Sequence, residues 1–454
     1  GAVADLDGNY KLSVPSSDAV LVISFVGYVQ MEVTVGSKSV IDVSMKEDTQ
    51  NLADVVVTAL GISKEKNALG YAVQEVSGDD IKNSGETNII NSLSGKSAGV
   101  YVNSSNGNVG SSSRITIRGN SSLTGNNQPL FVVDGVPIDN SIVSSARGQA
   151  DNLGTGFQAD FVDMGNGAAD INPNDIAEMT ILKGGSAAAL YGSRGANGVI
   201  LITTKRGSKK GFSVELENST TFSSPLVLPD YQNEYGQGGG GQFWYKNGLN
   251  GGKNDGVDES FGPRLDYTVQ PEDIVPGGKL YWAVEAGFPQ SAGQILSLPQ
   301  FDSPVNPTTG EKIPSPWISH PDNVSGFYET GVTRVTSAAL SNGGEWGNIR
   351  LAFTNSDQKG MTPNTNQVKN TINFSGKTNI TDKLSFDASG SYINTTGNPN
   401  GAGYTFANIG MQTVWTARQV DWEYEKNNIE NPDGTMISWI NRWHNNPYWM
   451  QYKN

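Results

Sequence analysis

The sequence contains no cysteine and only two histidines, His320 and His444, among its 454 residues. The absence of thiols excludes disulfide bonds, thiolate metal sites and a cysteine nucleophile. A histidine-based metal site or catalytic triad would have to use one of the two imidazoles, which lie far apart in the sequence. The composition therefore gives little support to either class of site.

Basic residues are in the minority as well. The chain has 31 Lys and Arg residues against 45 Asp and Glu residues, which gives a formal net charge of -14 at pH 7. Proteins that bind nucleic acid need a basic surface that neutralises phosphates. The charge balance therefore argues against a nucleic-acid partner.

Long apolar runs are missing too. The longest one spans residues 19–29, whereas a membrane-spanning helix needs about 20 apolar residues. If the protein crosses a membrane, it must therefore do so as a closed β-barrel. The 55 glycines are typical of a chain with many short strands joined by turns.

Catalytic motifs are absent from the sequence, since no GxSxG, HExxH or Walker A pattern occurs. The segment Gly236–Gly241 formally contains GxGxxG, but it lacks the preceding strand and following helix of a dinucleotide site, so a flexible loop is the better interpretation. An acidic segment has the carboxylate density of a calcium loop without the EF-hand spacing, which favours a solvated loop; its carboxylates are Asp151, Asp160, Asp163 and Asp170. The sequence predicts no enzyme, no cofactor and no metal centre.

The first residues predict part of a small β-sandwich over residues 1–46. Alternating or continuous apolar segments at 10–14, 19–25, 33–35 and 40–45 predict its strands. Asp7-Gly8-Asn9 predicts a turn between strands, because Asp-Gly tolerates positive φ, and at least one strand is expected before it.

Residues 47–63 form a polar linker that carries one short strand. Three consecutive valines favour extended structure; the strand consists of Asp54, Val55, Val56, Val57 and Thr58. It is either an ordinary core strand or a docking strand that a partner sheet captures by β-augmentation. Composition alone leaves both interpretations open.

Residues 64–206 predict a mixed α/β domain. Apolar runs at 129–133 and 199–204 indicate buried strands. Asn172-Pro173 indicates the start of a helical turn, and Ser186 is the predicted cap of a helix that follows it.

From residue 207 the pattern changes to strands with one apolar and one polar face. The alternation predicts, for example, that Phe386 points to one side of the sheet and Asp387 to the other. Short turns at Asn342-Gly343 and Asp382-Lys383 alternate with long loops. This asymmetry favours the wall of a transmembrane barrel over a soluble antiparallel sheet with one wet face.

The segment 225–331 interrupts these strands with a long region rich in glycine, proline and aromatic residues. A loop of this length is usually functional. Its aromatic side chains are predicted to contact a ligand or a partner protein, or else to form the packing core of the loop; the candidates are Phe243, Trp244, Tyr245, Tyr281, Trp282 and Trp317.

Several long motifs resemble the SusC/RagA-like TonB-dependent transporters of Gram-negative outer membranes. GAVADLDGNY at 1–10 resembles the end of their carboxypeptidase-regulatory-like domain, and ADVVVTALGI at 53–62 resembles the TonB box. The segments at 111–140 and 170–207 resemble the signature and the end of their plug domain. EYGQGGGG at 234–241 is similar to their first extracellular loop.

The resemblance implies a mainly β fold in four parts. These are a partial carboxypeptidase-regulatory-like β-sandwich (1–46), a linker with the TonB box (47–63), a mixed α/β plug domain (64–206) and the first strands of a transmembrane β-barrel of about 22 strands (207–454). It also implies that the strand at 54–58 is the docking segment for TonB rather than a core strand.

The implied function is active import across the outer membrane of a Gram-negative cell. The implied partners are TonB, which couples energy, a SusD-like surface lipoprotein and the surrounding outer-membrane lipid, and the implied cargo is an oligosaccharide or an oligopeptide. A surface adhesin or scaffold built from β-domains is the alternative, but it needs neither a docking strand nor a plug. Because the family's signal peptide, first sandwich strands and most of its barrel are missing from the sequence, we expect further strands of the same polypeptide after Asn454.

Overall fold

The computed structural model of the chain divides into two compact units, Gly1–Val73 and Gln74–Asn454. It describes residues 2, 9–14, 16–24, 31–45, 55–57, 63–65, 73–104, 109–123, 126–147, 160–207, 211–245, 256–381, 383–399, 409–440 and 446–453.

The first unit contains two antiparallel strand pairs in its described part. Strand β1 (Val20–Ile23) pairs with β2 (Met31–Thr34), and β3 (Val55–Val57) pairs with β4 (Ser63–Glu65). The prediction of strands at 10–14 and 40–45 is wrong, since neither segment joins a sheet. The hydroxyl of Tyr10 nevertheless donates to the carbonyl of Ile41 at 2.7 Å, which links the two segments.

The second unit begins with the mixed α/β region. One of its sheets has the strand order β5-β12-β13-β8-β9, in which β13 runs antiparallel to β12 and parallel to β8. The elements are β5 (Val73–Ser77), α1 (Gly78–Lys82), β6 (Val100–Ser104), β7 (Ser113–Ile117), β8 (Leu130–Val133), β9 (Val136–Ile138), β10 (Ile142–Arg147), β11 (Asp160–Asn166), α2 (Gly167–Asp170), β12 (Ile176–Leu182), α3 (Gly185–Tyr191) and β13 (Val199–Thr204).

Helix and turn starts in this region follow local capping chemistry. Asn172-Pro173 opens a 3-10 turn, as predicted, and the Asn172 side chain accepts from the N–H of Asn174. Helix α3 begins at Gly185 after Gly184, whose φ of 69° favours glycine, so the prediction of Ser186 as the cap is wrong.

The core of this region collects apolar side chains from both the strands and the short helices. β12 and β13 are buried because they lie at the centre of the sheet, and the helical segments cover them. Fully buried members include Ile81, Ile89, Ile90, Leu93, Ile115, Phe131, Ile176, Met179, Ile181 and Ile200. We call residues 73–206 the plug.

A second five-stranded sheet follows the plug in the described part of the chain. Its order is β14-β17-β18-β19-β20 and every neighbouring pair is antiparallel. The remaining strands are β14 (Gly211–Ser223), β15 (Ser297–Leu298), β16 (Ser315–Pro316), β17 (Gly331–Gly344), β18 (Gly347–Lys359), β19 (Asn366–Thr381) and β20 (Leu384–Asn398). We call this sheet the wall; β15 and β16 pair with each other in the long loop.

The wall has one apolar exposed face and one face towards the plug. Phe386 is exposed among the apolar residues, whereas Asp387 forms an ion pair with Arg206 at the end of the plug, so these two side chains take the opposite sides that the alternation predicts. The prediction of a turn at Asn342-Gly343 is wrong. Both residues belong to β17 and pair with β18, and the turn lies between Gly344 and Gly347.

The long loop after β14 packs with the segment after β20 into one aromatic body. We call the described residues of 224–330 and 409–453 the loop module. Its helices are α4 (Tyr281–Glu285), α5 (Asn323–Phe327), α6 (Ile409–Trp415), α7 (Trp422–Asn427) and α8 (Pro447–Tyr452). Both segments supply its core, which includes Phe243, Leu265, Trp282, Leu298, Trp317, Phe327, Val420, Trp422, Trp439 and Tyr448.

Among the residues that the structure describes, no helix has both the length and the apolar character of a membrane-spanning helix.

Candidate functional site

The predicted docking strand lies at the edge of a two-stranded sheet. Val55, Val56 and Val57 pair with Glu65, Lys64 and Ser63 of β4. In the described residues β3 has this one neighbour, so the other edge of β3 presents backbone groups that an added strand can pair with. Asp54 and Thr58, the ends of the predicted segment, lie outside the described residues.

The plug and the wall meet through a buried polar contact. A guanidinium nitrogen of Arg350 on β18 lies 2.7 Å from a carboxylate oxygen of Asp175 in the plug. Asn172 donates to the second oxygen of that carboxylate at 2.6 Å and to the hydroxyl of Thr354 at 2.8 Å. Because buried charges are costly unless paired, this arrangement satisfies both ions.

Other contacts between plug and wall lie around this pair. Lys82 of α1 forms an ion pair with Glu217 of β14 at 2.9 Å, and the Lys369 ammonium donates to the carbonyl of Ala169 at 2.6 Å. Asn373 of β19 donates to Asp175 as well. The plug is therefore attached to the wall by polar groups from several strands rather than by an apolar seam.

A cavity of about 770 Å³ lies between the plug and the inner face of the wall. Its lining is rich in amides, hydroxyls and charged groups, and includes Glu86, Asn91, Gln358, Gln367 and Lys369. Such groups can hydrogen-bond to a hydroxyl-rich or amide-rich ligand.

The aromatic candidates of the loop pack mainly against one another. Phe243 stacks on Trp317 with ring centroids 5.1 Å apart, and Trp244 stacks on Trp282 at 6.1 Å. Tyr245 meets Phe301 edge-on at 5.0 Å.

Their burial separates the candidates into two groups. Phe243 and Trp317 have no exposed surface and Trp282 is 5% exposed, so the alternative of an internal packing core is favoured for these three. Trp244, Tyr245 and Tyr281 are half-buried. Contact with a ligand or a partner stays a prediction, and these three are the better placed for it.

Sequence reasoning missed the contribution of residues 409–453 to the loop module. The indole of Trp422 meets Phe327 at a centroid distance of 5.7 Å, and Tyr448 lies 5.2 Å from the same ring. Five of the nine tryptophans of the chain lie after residue 409. This density was a signal of a packed segment, because a solvated loop rarely carries so many large apolar side chains.

In the described residues, no group of three or more His, Asp or Glu side chains is placed to hold a metal ion. His444, Asp151 and the rest of 151–159 lie outside those residues. Asp163 accepts from the N–H and the hydroxyl of Ser112 at 3.0 and 2.7 Å, so it acts as a structural acceptor.

Comparisons with known families match two successive segments in the N-terminal half of the chain. The family model described as TonB-dependent Receptor Plug Domain matches residues 65–199, and the CarboxypepD_reg-like domain matches residues 1–57. The TonB-dependent receptor SusC of Bacteroides thetaiotaomicron is 40% identical over 224 residues, which are 49% of this chain. The chain belongs to the SusC/RagA-like TonB-dependent receptors.

Other relatives agree with this membership. TonB-dependent receptor P26 of Formosa agariphila is 37% identical over 230 residues, or 51% of this chain. Among solved structures, the RagAB peptide importer in its open-open state shares the fold with a TM-score of 0.55 and 20% identity, and it covers 87% of this chain and 38% of the importer chain. The aligned segments are 20% of the length of either curated relative.

Membership confirms the fold class and the localisation that the sequence predicts. The receptor is a mainly β protein with a carboxypeptidase-regulatory-like domain, a plug and strands of an outer-membrane barrel, and it resides in the outer membrane of a Gram-negative cell. The matched relatives are receptors, and neither matched family is catalytic. The domain boundaries at 46, 63 and 206 stay predictions.

Proposed function

We propose that the receptor imports a nutrient across the outer membrane by TonB-dependent active transport. The observation that carries this proposal is the order of parts in one chain: an open-edged strand at Val55–Val57 precedes a plug that is hydrogen-bonded to the inner face of an apolar-walled sheet. An adhesin or scaffold needs neither a docking strand nor a plug, and so it explains less of the chain.

Energy coupling is proposed to act on the segment from Asp54 to Thr58. An added strand from TonB would pair with the open edge of β3, since β-augmentation draws its affinity from backbone hydrogen bonds. Among the described residues, the next strand along the chain after β4 is β5, which is an edge strand of the plug sheet. Tension on β3 would therefore reach the plug at an edge, where fewer ladder hydrogen bonds have to break.

The cargo is proposed to be an oligosaccharide or an oligopeptide, delivered with the help of a SusD-like surface lipoprotein. The polar lining of the 770 Å³ cavity supports a hydroxyl-rich or amide-rich cargo. The peptide class is also the cargo that the name of the RagAB peptide importer gives for that protein. We further propose that the loop module lies at the extracellular end, because long loops of outer-membrane barrels lie outside and short turns inside.

Replacement of Val56 by Pro tests the docking step. Proline removes a backbone donor and breaks strand addition, so uptake by cells should be abolished while membrane insertion and cargo binding persist. Val56→Ala keeps the backbone donor and serves as the matched control, with uptake close to that of the native protein. Uptake that is unchanged in the proline variant would show that this strand is not the docking segment.

Mass spectrometry of the detergent-extracted receptor tests both the proposed cargo and the proposed SusD-like lipoprotein partner. We expect a co-purifying lipoprotein and a bound oligosaccharide or oligopeptide. A receptor that binds cargo with full affinity in cells that lack the lipoprotein would contradict the proposed role of the lipoprotein. A bound metal chelate would contradict the proposed cargo class.

A further inference from the structure

Glu425 is the most unusual carboxyl group of the loop module. It lies on the inward face of α7 with no exposed surface, and neither of its carboxylate oxygens has a hydrogen-bond partner in the described part of the chain. A buried carboxylate without a partner is strongly disfavoured relative to the neutral acid. Burial, followed by the charges of Asp302 and Asp421, accordingly raises the pKa of Glu425 well above its usual value.

Asp302 is the second carboxyl group and lies in the turn at 300–303, which follows β15. It is 7% exposed, and burial raises its pKa to about 6. Backbone N–H groups of Asp302 and Asp421 and the charge of Lys312 oppose this rise, and the charge of Asp421 adds to it. Lys312 lies next to the turn, where its ammonium donates to the carbonyl of Ser303 at 2.9 Å.

In the described part of the chain, the charge of Lys312 acts on Asp302, and no cation is among the groups that shift the pKa of Glu425. Asp421 accepts from the N–H groups of Glu423 and Tyr424 and so caps α7. Tyr448 of α8 stays neutral, because burial and then the charge of Glu425 raise its pKa to about 12. The Lys426 ammonium lies over the Tyr448 ring at 5.7 Å. The charges of Tyr452, Glu329 and Glu423 also raise the pKa of Tyr448. Burial and then the charge of Asp302 raise the pKa of Tyr424.

We infer that Asp302 and Glu425 make the loop module a pH-sensitive device, which is closed when both carboxyl groups are protonated and loosens when they ionise. The Asp302 carboxyl group accepts from the backbone N–H of Asp421 at the start of α7. Ionisation would therefore place the charges of Asp302 and Glu425 beside that of Asp421, and Lys312 opposes only the charge of Asp302. The charges repel each other and cannot both be solvated while the contact stays closed, so α7 should separate from the turn.

The raised pKa values of the two carboxyl groups make the closed form more stable at low pH than at high pH. Both groups bind a proton more tightly in the closed module than in an open one, so they stabilise the closed form fully below about pH 4. This stabilisation is lost as the pH rises through 6 for Asp302 and at higher pH for Glu425. The consequence for cargo access rests on the proposed function, whereas the structural effect does not.

Hydrogen exchange of the intact receptor, corrected for intrinsic exchange, measures the opening at pH 5 and pH 8. One pKa unit corresponds to about tenfold in an equilibrium constant, so Asp302 alone should raise opening at residues 297–316 and 409–427 by about tenfold between these pH values. Glu425 should add to this change.

Glu425→Gln and Asp302→Asn are neutral isosteres and should each flatten the pH dependence. Glu423→Gln is the control, because Glu423 lies on the exposed face of the same helix and its removal should leave the pH dependence intact. A native protein with no pH dependence, or a Glu425→Gln variant that keeps all of it, would overturn the inference. Since no transport is measured, this outcome is independent of the Val56 experiment.

Discussion

Asp175 and Arg350, separated by 175 positions in sequence, form an ion pair of 2.7 Å with side chains that are 5% and 6% exposed. Asp175 follows the Asn172-Pro173 turn of the plug, and Arg350 lies on the inner face of β18. Asn172 and Asn373 donate to the same carboxylate. The pair is thus the centre of a polar network that attaches the plug to the wall.

Asp175→Asn should destabilise the intact receptor by roughly 3–5 kcal/mol, because it leaves the Arg350 charge buried without a counter-ion. Urea titration in lipid bilayers measures the free energy of unfolding. Removing both charges, in Asp175→Asn with Arg350→Gln, should recover part of the loss. Arg206→Gln is the control: it breaks an exposed pair with Asp387 and should cost about 1 kcal/mol or less. Equal losses in the two single variants would contradict a special role for the buried pair.

The outer face of the wall should be lipid-facing. Phe353 is exposed in the middle of β18 and is a better probe than Phe386, which lies near the beginning of β20. Phe353→Lys should cost roughly 2–4 kcal/mol of folding free energy in bilayers. Ser389→Lys places the same charge on the inner face of β20 and should cost much less. Similar costs at the two positions would show that the wall is not divided into a lipid face and an inner face.

The stacked pair in the loop module should act as packing rather than as a binding surface. Trp317→Ala should reduce local stability by about 3–5 kcal/mol, since Trp317 is fully buried against Phe243. Tyr281→Ala should reduce it by less, because Tyr281 is half-buried. Hydrogen exchange measures stability, and titration with cargo measures affinity. A Trp317→Ala variant that keeps native hydrogen-exchange protection but loses cargo affinity would show that Trp317 belongs to a binding surface and not to the packing core.

Glycine is required at position 236 by the closeness of the Trp317 ring. A Cβ atom there would lie 2.6 Å from a ring carbon, which is shorter than real Cβ contacts. Gly236→Ala should therefore cost about 1–3 kcal/mol through overpacking, measured as a loss of hydrogen-exchange protection in the loop module. Gly326→Ala is the control, since its Cβ would meet nothing within 4 Å. A loss of protection in both variants would point to backbone flexibility rather than to the ring.

The alternation of the wall was predictable because it is local. Residues two positions apart share a face of a strand, so the opposite placement of Phe386 and Asp387 follows from the sequence alone. Strand ends were less predictable. Asn342 and Gly343 have the composition of a turn, yet they pair in full register with β18, because the ladder hydrogen bonds outweigh the local preference.

The resemblance of the long motifs to known transporters predicted the family, and hence the fold class, from the sequence alone. Only the tertiary structure decided which aromatic residues are core, that 224–330 and 409–453 share that core, and that Asp175 meets Arg350. The physical reason is that burial and ion pairing depend on which distant segments come together. A carboxyl group such as Glu425 shows no sign in the sequence that it is buried without a partner.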